Sequence, residues 1–308
     1  MTSHDTPTPE ALQITVPHFS LQALTHLIAA ITPLLPPAPK RGPKGMAITT
    51  RVRLALSYLR EGVSIRGLAR ISGIPVTTLR DNIGPILEAF DRLAPLLPDG
   101  TIIGDFDDIA WWCAETGGTI IVDGTELAIA RPTGQVERLF GLQRGVTVSS
   151  GSQLGLPVEQ RPYYSGKKKT HTLKTIAVCD AESNLLWVTP LLGGATHDLT
   201  ALRDANLPSH LADSGLDVLA DSGFQGLQHD VEALELPTRR PRDNSELTKT
   251  DRFFNSVLSS NRVRVEHSIG RLKQWRCLTV PKQHRALLER WLPVCWALTS
   301  FQQAWPRS

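Results

Sequence analysis

Thr119-Ile120-Ile121-Val122-Asp123-Gly124-Thr125-Glu126 is the stretch that decides the fold. Its β-branched apolar run reads as a short buried strand, Thr119–Val122. Asp123-Gly124 then supplies turn chemistry, so a kink at Gly124 is expected, with the strand resuming over Leu127–Ala130. The same grammar recurs in Val218-Leu219-Ala220-Asp221-Ser222-Gly223-Phe224. There a buried strand over Leu216–Ala220 ends on Asp221.

Working outward, Thr172–Cys179 and Leu185–Leu192 read as two strands joined by the turn Asp180-Ala181-Glu182-Ser183-Asn184. His197–Ala205 reads as a short helix. Leu247–Trp275 is mostly helical, and Leu287–Trp305 is a final amphipathic helix. Strand, hairpin, helix, strand, helix is the order of an α/β domain, a mixed sheet flanked by helices, spanning residues 118–305.

A third acid stands on the long helix, in Arg262-Val263-Arg264-Val265-Glu266-His267-Ser268-Ile269-Gly270-Arg271-Leu272-Lys273. Two aspartates on strand ends and a glutamate on a basic helix suit a nuclease that binds two divalent cations. Mg²⁺ favours oxygen ligands and usually takes one or two protein carboxylates. Two such ions about 3.5–4 Å apart can activate the attacking oxygen and stabilise the leaving one. Each acid also has a plainer reading. Asp123 and Asp221 are ordinary turn residues before glycine or Ser-Gly. Glu266 can pair with Arg262 one turn back. Glu266, Gly270 and Lys273 share one helix face. Asp198 rivals Asp221 as a metal ligand, against a plainer role as a helix-start acid. If the strand continues regularly past Gly124, Glu126 faces the opposite side and is at most a neighbour of the site.

The N-terminal third is different. Residues 1–45 read as a tail, a helix over Ser20–Ile31, and a linker carrying Pro33, Pro36, Pro37, Pro39 and Pro43. Thr49 to Leu93 is helical in pattern, within a domain of residues 46–100. Ala69, Gly73 and Leu79 have the form of a helix-turn-helix: a small residue for close approach, Gly for the turn, an apolar residue to close the core. Thr77, Thr78 and Arg80 open the second helix and would face a major groove. The alternative is a plain helical hairpin.

The net charge is only +3, so distribution carries the nucleic-acid argument. Lys167, Lys168, Lys169 and His171 form one basic group, and Arg239, Arg240 and Arg242 a second. Arg271 and Lys273 belong to another around Glu266. Solvated faces explain any single cluster; several beside three acids point to phosphate contacts. The four cysteines form no Cys-x-x-Cys pair, which argues against zinc and for reduced core thiols. The seven tryptophans read as core. No secretory signal is visible, and the apolar run Leu21–Leu35 is too short and broken to span a membrane, so a soluble cytoplasmic protein is expected.

Five pieces in order resemble the DDE transposases of the insertion-sequence-five and PIF/Harbinger-like branch. They are the Asp123-Gly124-Thr125 strand end, Gly166 to Lys174, Gly194-Ala195-Thr196-His197-Asp198, Ala220-Asp221-Ser222-Gly223-Phe224, and Val265 to Lys273. Phe224 and Ser222 depart slightly from the usual pattern, away from the acids. The resemblance covers roughly residues 45 to 305. It implies a ribonuclease-H-like fold, with Asp123, Asp221 and Glu266 as catalytic and metal-binding residues for two Mg²⁺ or Mn²⁺ ions. It also implies double-stranded DNA partners, namely transposon ends and target, and a dimer or larger synaptic assembly on the nucleoid. Two other functions stay open: a transposase-derived DNA-binding protein without transposition, and a metal-dependent endonuclease without strand transfer.

Overall fold

The computed structural model describes residues 19–37, 46–132, 158–240, 246–280 and 284–306. The tail, part of the proline linker and Arg242 lie outside them.

The central strand is β1, Thr119–Ala128. It does not kink at Gly124. Its antiparallel ladder with β3, Thr170–Asp180, runs unbroken from Ile120↔Asp180 through Gly124↔Ile176 to Ala128↔Thr172. The physical reason is β3, buried from Thr172 to Asp180. Its continuous edge offers a hydrogen-bond partner to every residue of β1, which outweighs the turn preference of Asp-Gly.

β1 also pairs in parallel with β6, Asp217–Leu219, and β6 pairs in parallel with β7, Leu234–Glu235. Three short strands pair with β3 besides β1: β2 (Tyr164–Ser165), β4 (Leu185–Val188) and β5 (Leu192–Gly193). The sheet is therefore mixed, in the order β2-β3-β1-β6-β7.

Helices flank it. α5 (Phe106–Thr116) packs on β1, and α6 (Asp198–Asp204) packs on β3 and is followed by α7 (Leu207–Asp213). α8, Lys249–Lys273, crosses both β1 and β3. A reciprocal cap starts it: Thr248 accepts from the Asp251 amide, and Asp251 accepts from the Thr248 amide. α9, Arg285–Ala304, packs on α8 and β4. A mixed sheet flanked by helices in this way is the ribonuclease-H-like arrangement.

Before the sheet come α1 (Leu21–Ile31), α2 (Ile48–Glu61), α3 (Ile65–Ser72) and α4 (Val76–Phe90). Ser64 caps α3 by accepting from the Gly67 amide. Gly73 ends α3 with φ 70°, a left-handed conformation that glycine adopts without cost. Leu68 and Leu79 close the space between the two helices, while Thr77, Thr78 and Arg80 are exposed. These helices join the same buried cluster as the sheet: α1 packs on α9, and α2 on the turn Arg276–Leu278 that follows α8.

Trp275 is fully buried and donates to Thr299 Oγ1 at 3.0 Å. Trp291 and Trp296 are also buried, but Trp111 is 57% exposed on α5, contrary to a core reading. Its neighbours Ile109 and Cys113 take the inward side of that helix and leave Trp111 to the solvent side. The four cysteines are free and buried. Among the described residues no helix is long and apolar enough to cross a membrane.

Candidate active site

Parallel pairing of β1 with β6 sets two acids side by side. The register ends at Ile121↔Leu219. Two residues further along each strand stand Asp123 and Asp221, at the same level and with the same alternation. Neighbouring strands lie about 4.8 Å apart, so carboxylates so placed face one another across a short gap.

Local backbone fixes each. Asp123 Oδ1 accepts from the Gly124 amide at 2.8 Å, and Asp221 Oδ1 accepts from the Gly223 amide at 2.6 Å. Their other oxygens meet one guanidinium. Arg262 Nη2, from α8, lies 3.5 Å from Asp123 Oδ2 and 3.6 Å from Asp221 Oδ2. Arg262 thus turns to the two aspartates rather than serving only as a surface partner of Glu266. Burial pushes the Asp123 carboxyl up to about 6, against the pull of Arg262; Asp221 and Asp198 push it the same way as burial.

Asp198, the first residue of α6, is the third acid that the fold delivers here. Its Oδ1 pairs with Lys174 Nζ at 2.7 Å. A Cβ placed on Gly124 would stand 2.7 Å from Asp198 Oδ1, and one on Gly223 would stand 3.0 Å from Asp198 Oδ2. Gly124, inside the β1 ladder, and Gly223, in the turn after β6, therefore leave room for the Asp198 carboxylate that lies between them. A helix-start acid and a site acid share one sequence context, which is why the sequence left this residue a rival only.

Glu266 is exposed on α8, one turn beyond Arg262, and makes no ion pair among the described residues. Burial, and then the neighbouring Lys168 charge, lower the ammonium of Lys273, further along α8, against the smaller pull of Glu126 and Asp123. Glu266 thus lies on α8 between Arg262, which reaches Asp123, and Lys273. Lys273 also helps line a cleft of about 330 Å³, with Gly124, Glu126, Lys167, Lys168 and Asp198. Glu126 accepts from Thr172 Oγ1 at 3.0 Å.

The other predicted phosphate contacts divide. Lys167, Lys168 and Lys169 are exposed on a tight turn, where the Lys169 amide donates to the Ser165 carbonyl and φ of Lys169 is 54°. His171 stands edge-on to Tyr164 with ring centroids 5.7 Å apart. Arg271 leaves this group: its Nη1 donates to the Ser183 carbonyl at 3.1 Å, and it lines a separate depression with Glu182 and Asn184.

Among the described residues no three His, Cys, Asp or Glu side chains close into a ready metal cage. The donor chemistry nonetheless fits a hard divalent cation. Asp123, Asp198 and Asp221 offer only carboxylate oxygens, and the Asp123–Asp221 gap is already bridged by positive charge, the Arg262 guanidinium.

Comparison with known proteins gives this geometry a family. The chain is 30% identical over 127 residues to a probable transposase for insertion sequence element IS702 of Microchaete diplosiphon. That alignment covers 41% of this chain and 44% of the relative, so the chain spans less than half of the relative's length. No solved structure matches. The family model of the DDE superfamily endonucleases, whose members generally use divalent metals, matches residues 122–300. That span is more than half of the chain and carries Asp123, Asp198, Asp221 and Glu266 together, and on it the chain belongs to the DDE superfamily endonucleases.

Proposed function

We propose that the protein is an insertion-sequence transposase that binds element ends, cuts them and joins the freed 3′-hydroxyl to target DNA. The observation that carries this reading is the placement of Asp123, within β1, beside Asp221, just past the end of the parallel strand β6, with one guanidinium shared between them. Asp123 and Asp221 would hold two Mg²⁺ or Mn²⁺ ions, with Glu266 as the third acid and Asp198 as its rival. Bound ions would supply Lewis acidity and an activated oxygen nucleophile at the phosphodiester.

The chain's own residues have separate tasks. The Asp221 carboxylate is oriented by the Gly223 amide, and Lys174 fixes Asp198 against Gly124 and Gly223. Lys167, Lys168 and Lys273 present positive charge along the cleft beside Asp123 and position the phosphate backbone without reading sequence. Thr77, Thr78 and Arg80, exposed at the start of α4, read the terminal repeats in the major groove. Two ends joined in one reaction need at least two copies, so the working form is a dimer or larger synaptic complex on double-stranded DNA, in the cytoplasm and at the nucleoid.

The test is cleavage of DNA carrying the element's own ends, with Mg²⁺ or Mn²⁺, by wild type, Glu266→Gln and Asp198→Asn. Metal-dependent nicking that Glu266→Gln abolishes and Asp198→Asn only slows supports Glu266 as the third acid. The reverse ranking transfers that role to Asp198. Cleavage without joined products reduces the protein to an endonuclease, and binding without cleavage to a DNA-binding derivative.

A further inference from the structure

Two ion pairs elsewhere in the chain show what a settled pair looks like here, whereas the exposed pair Arg276–Glu61 stays long at 3.6 Å. Arg290 grips Asp91 with Nε at 3.0 and 3.1 Å and Nη2 at 2.7 Å. Arg203 holds Asp230 with Nε at 3.2 Å and Nη2 at 2.7 Å. Both use two guanidinium nitrogens on one carboxylate, and Arg290 reaches both oxygens of Asp91 in the strong forked geometry.

Arg262 departs from it. A single nitrogen, Nη2, serves two carboxylates at 3.5 and 3.6 Å. Charge-assisted bonds of this kind normally run about 2.7–2.9 Å. Its Nε is buried and makes no hydrogen bond among the described residues. Asp198, by contrast, has its own short partner in Lys174. The site therefore holds one well-seated cation beside Asp198 and one loosely seated cation between Asp123 and Asp221.

We infer that Arg262 is a built-in counter-ion, which holds Asp123 and Asp221 together in the metal-free protein and is displaced when a divalent cation takes their Oδ2 atoms. This rests on the proposed metal-holding role of the two aspartates. The atoms Arg262 approaches are the ones left free by the backbone: Oδ1 of each aspartate already accepts an amide, whereas the Oδ2 atoms meet the guanidinium. A dication bound to those atoms would repel a guanidinium at this distance, and an arginine side chain can swing on its flexible stem without moving α8. First-ion affinity is then the net of ligation and eviction.

The experiment titrates metal-free, full-length protein with Mn²⁺ and counts free ion by electron paramagnetic resonance. Wild type, Arg262→Gln, Arg262→Lys and Arg252→Gln are compared at one ionic strength. Arg252 sits on the same helix and pairs with Glu246, so its variant controls for the general loss of one charge. Arg262→Gln is expected to bind the first Mn²⁺ about tenfold more tightly than wild type, with Arg262→Lys between them and Arg252→Gln unchanged. Without added metal, Arg262→Gln should melt below wild type, and saturating Mn²⁺ should narrow that gap. Equal or weaker first-ion binding by folded Arg262→Gln overturns the inference while leaving the metal site intact. A wild type that binds no Mn²⁺ overturns the metal site itself. If Arg262→Gln does not fold, the guanidinium ¹⁵N resonance of Arg262 in wild type decides: a shift on adding Mg²⁺ supports eviction, and an unmoved resonance overturns it.

Discussion

Lys174 Nζ lies 2.7 Å from Asp198 Oδ1 and donates to the Thr196 carbonyl at 2.6 Å, with 9% of the lysine side chain exposed. The pair fixes the start of α6 to β3, because Lys174 belongs to the strand and Asp198 opens the helix. Removing the lysine leaves a carboxylate among other carboxylates. Asp198 is 30% exposed, so water screens part of the loss. Lys174→Met should therefore cost about 1–3 kcal/mol, below the range for a fully buried broken pair. Urea unfolding reads this directly. Lys174→Met/Asp198→Asn should be more stable than Lys174→Met alone; a double variant as unstable as the sum of the singles would deny the pair any coupling.

Asp123 should trade stability for function. Its carboxyl is pushed up to about 6, chiefly by burial. A folded value above the unfolded one means that the folded state binds the proton more tightly. The benefit is fully present below about pH 4 and is lost as pH rises through about 6. In chelator-treated protein, wild-type stability should then fall between those values. Asp123→Asn carries no such charge and should be more stable than wild type at pH 8, by about 1–3 kcal/mol. The difference should vanish near pH 4. If Asp123 holds metal as proposed, the same variant should also lose cleavage by roughly three orders of magnitude. Loss of stability at pH 8 in Asp123→Asn would show that Asp123 is held chiefly by structural bonds.

Gly124→Ala tests the seat of Asp198. The added methyl would arrive 2.7 Å from Asp198 Oδ1 and 3.0 Å from its Cγ, so the carboxylate must shift. Gly124 sits in regular strand pairing and is not at positive φ, so the backbone itself accepts alanine. Gly124→Ala should thus cost about 1–2 kcal/mol in stability, within the overpacking range, yet lower cleavage by tenfold or more. Wild-type cleavage rates in a folded Gly124→Ala would remove Asp198 from the site.

How much of this was legible in the sequence follows from the range of each interaction. The strand end at Asp221 was legible because a run of apolar residues cut by Asp-Ser-Gly is a local signal, and local signals fix element type. Strand length was not: Asp123-Gly124 looks like a turn, and only the continuous edge of β3 carries β1 on to Ala128. Trp111 looked like core because residue type predicts burial poorly on a helix with one wet face. Arg262 was visible beside Glu266, one turn away, whereas its approach to Asp123 bridges 139 positions of sequence. Arg271 and Lys273 looked alike as neighbours in a basic run. Helix geometry separates them by most of a half-turn, sending one to Ser183 and the other to the cleft.

Binding and chemistry should separate by residue. Arg80 is exposed at the start of α4, and the buried Leu79 beside it fixes the rotation of that helix. If Arg80 reads a base edge, Arg80→Ala should weaken binding to the element's ends by about 1–3 kcal/mol and leave random-sequence binding nearly unchanged. Lys167 and Lys168 line the cleft, where on the proposed reading they would meet phosphate rather than bases. Lys167→Ala/Lys168→Ala should weaken both DNAs alike and lower the slope of log affinity against log salt by about 2, one for each phosphate no longer neutralised. Fluorescence anisotropy at several salt concentrations measures both effects. Equal losses on specific and random DNA for Arg80→Ala would make α3 and α4 a packing hairpin. An unchanged salt slope for the double lysine variant would place the DNA backbone elsewhere than in the cleft beside Asp123.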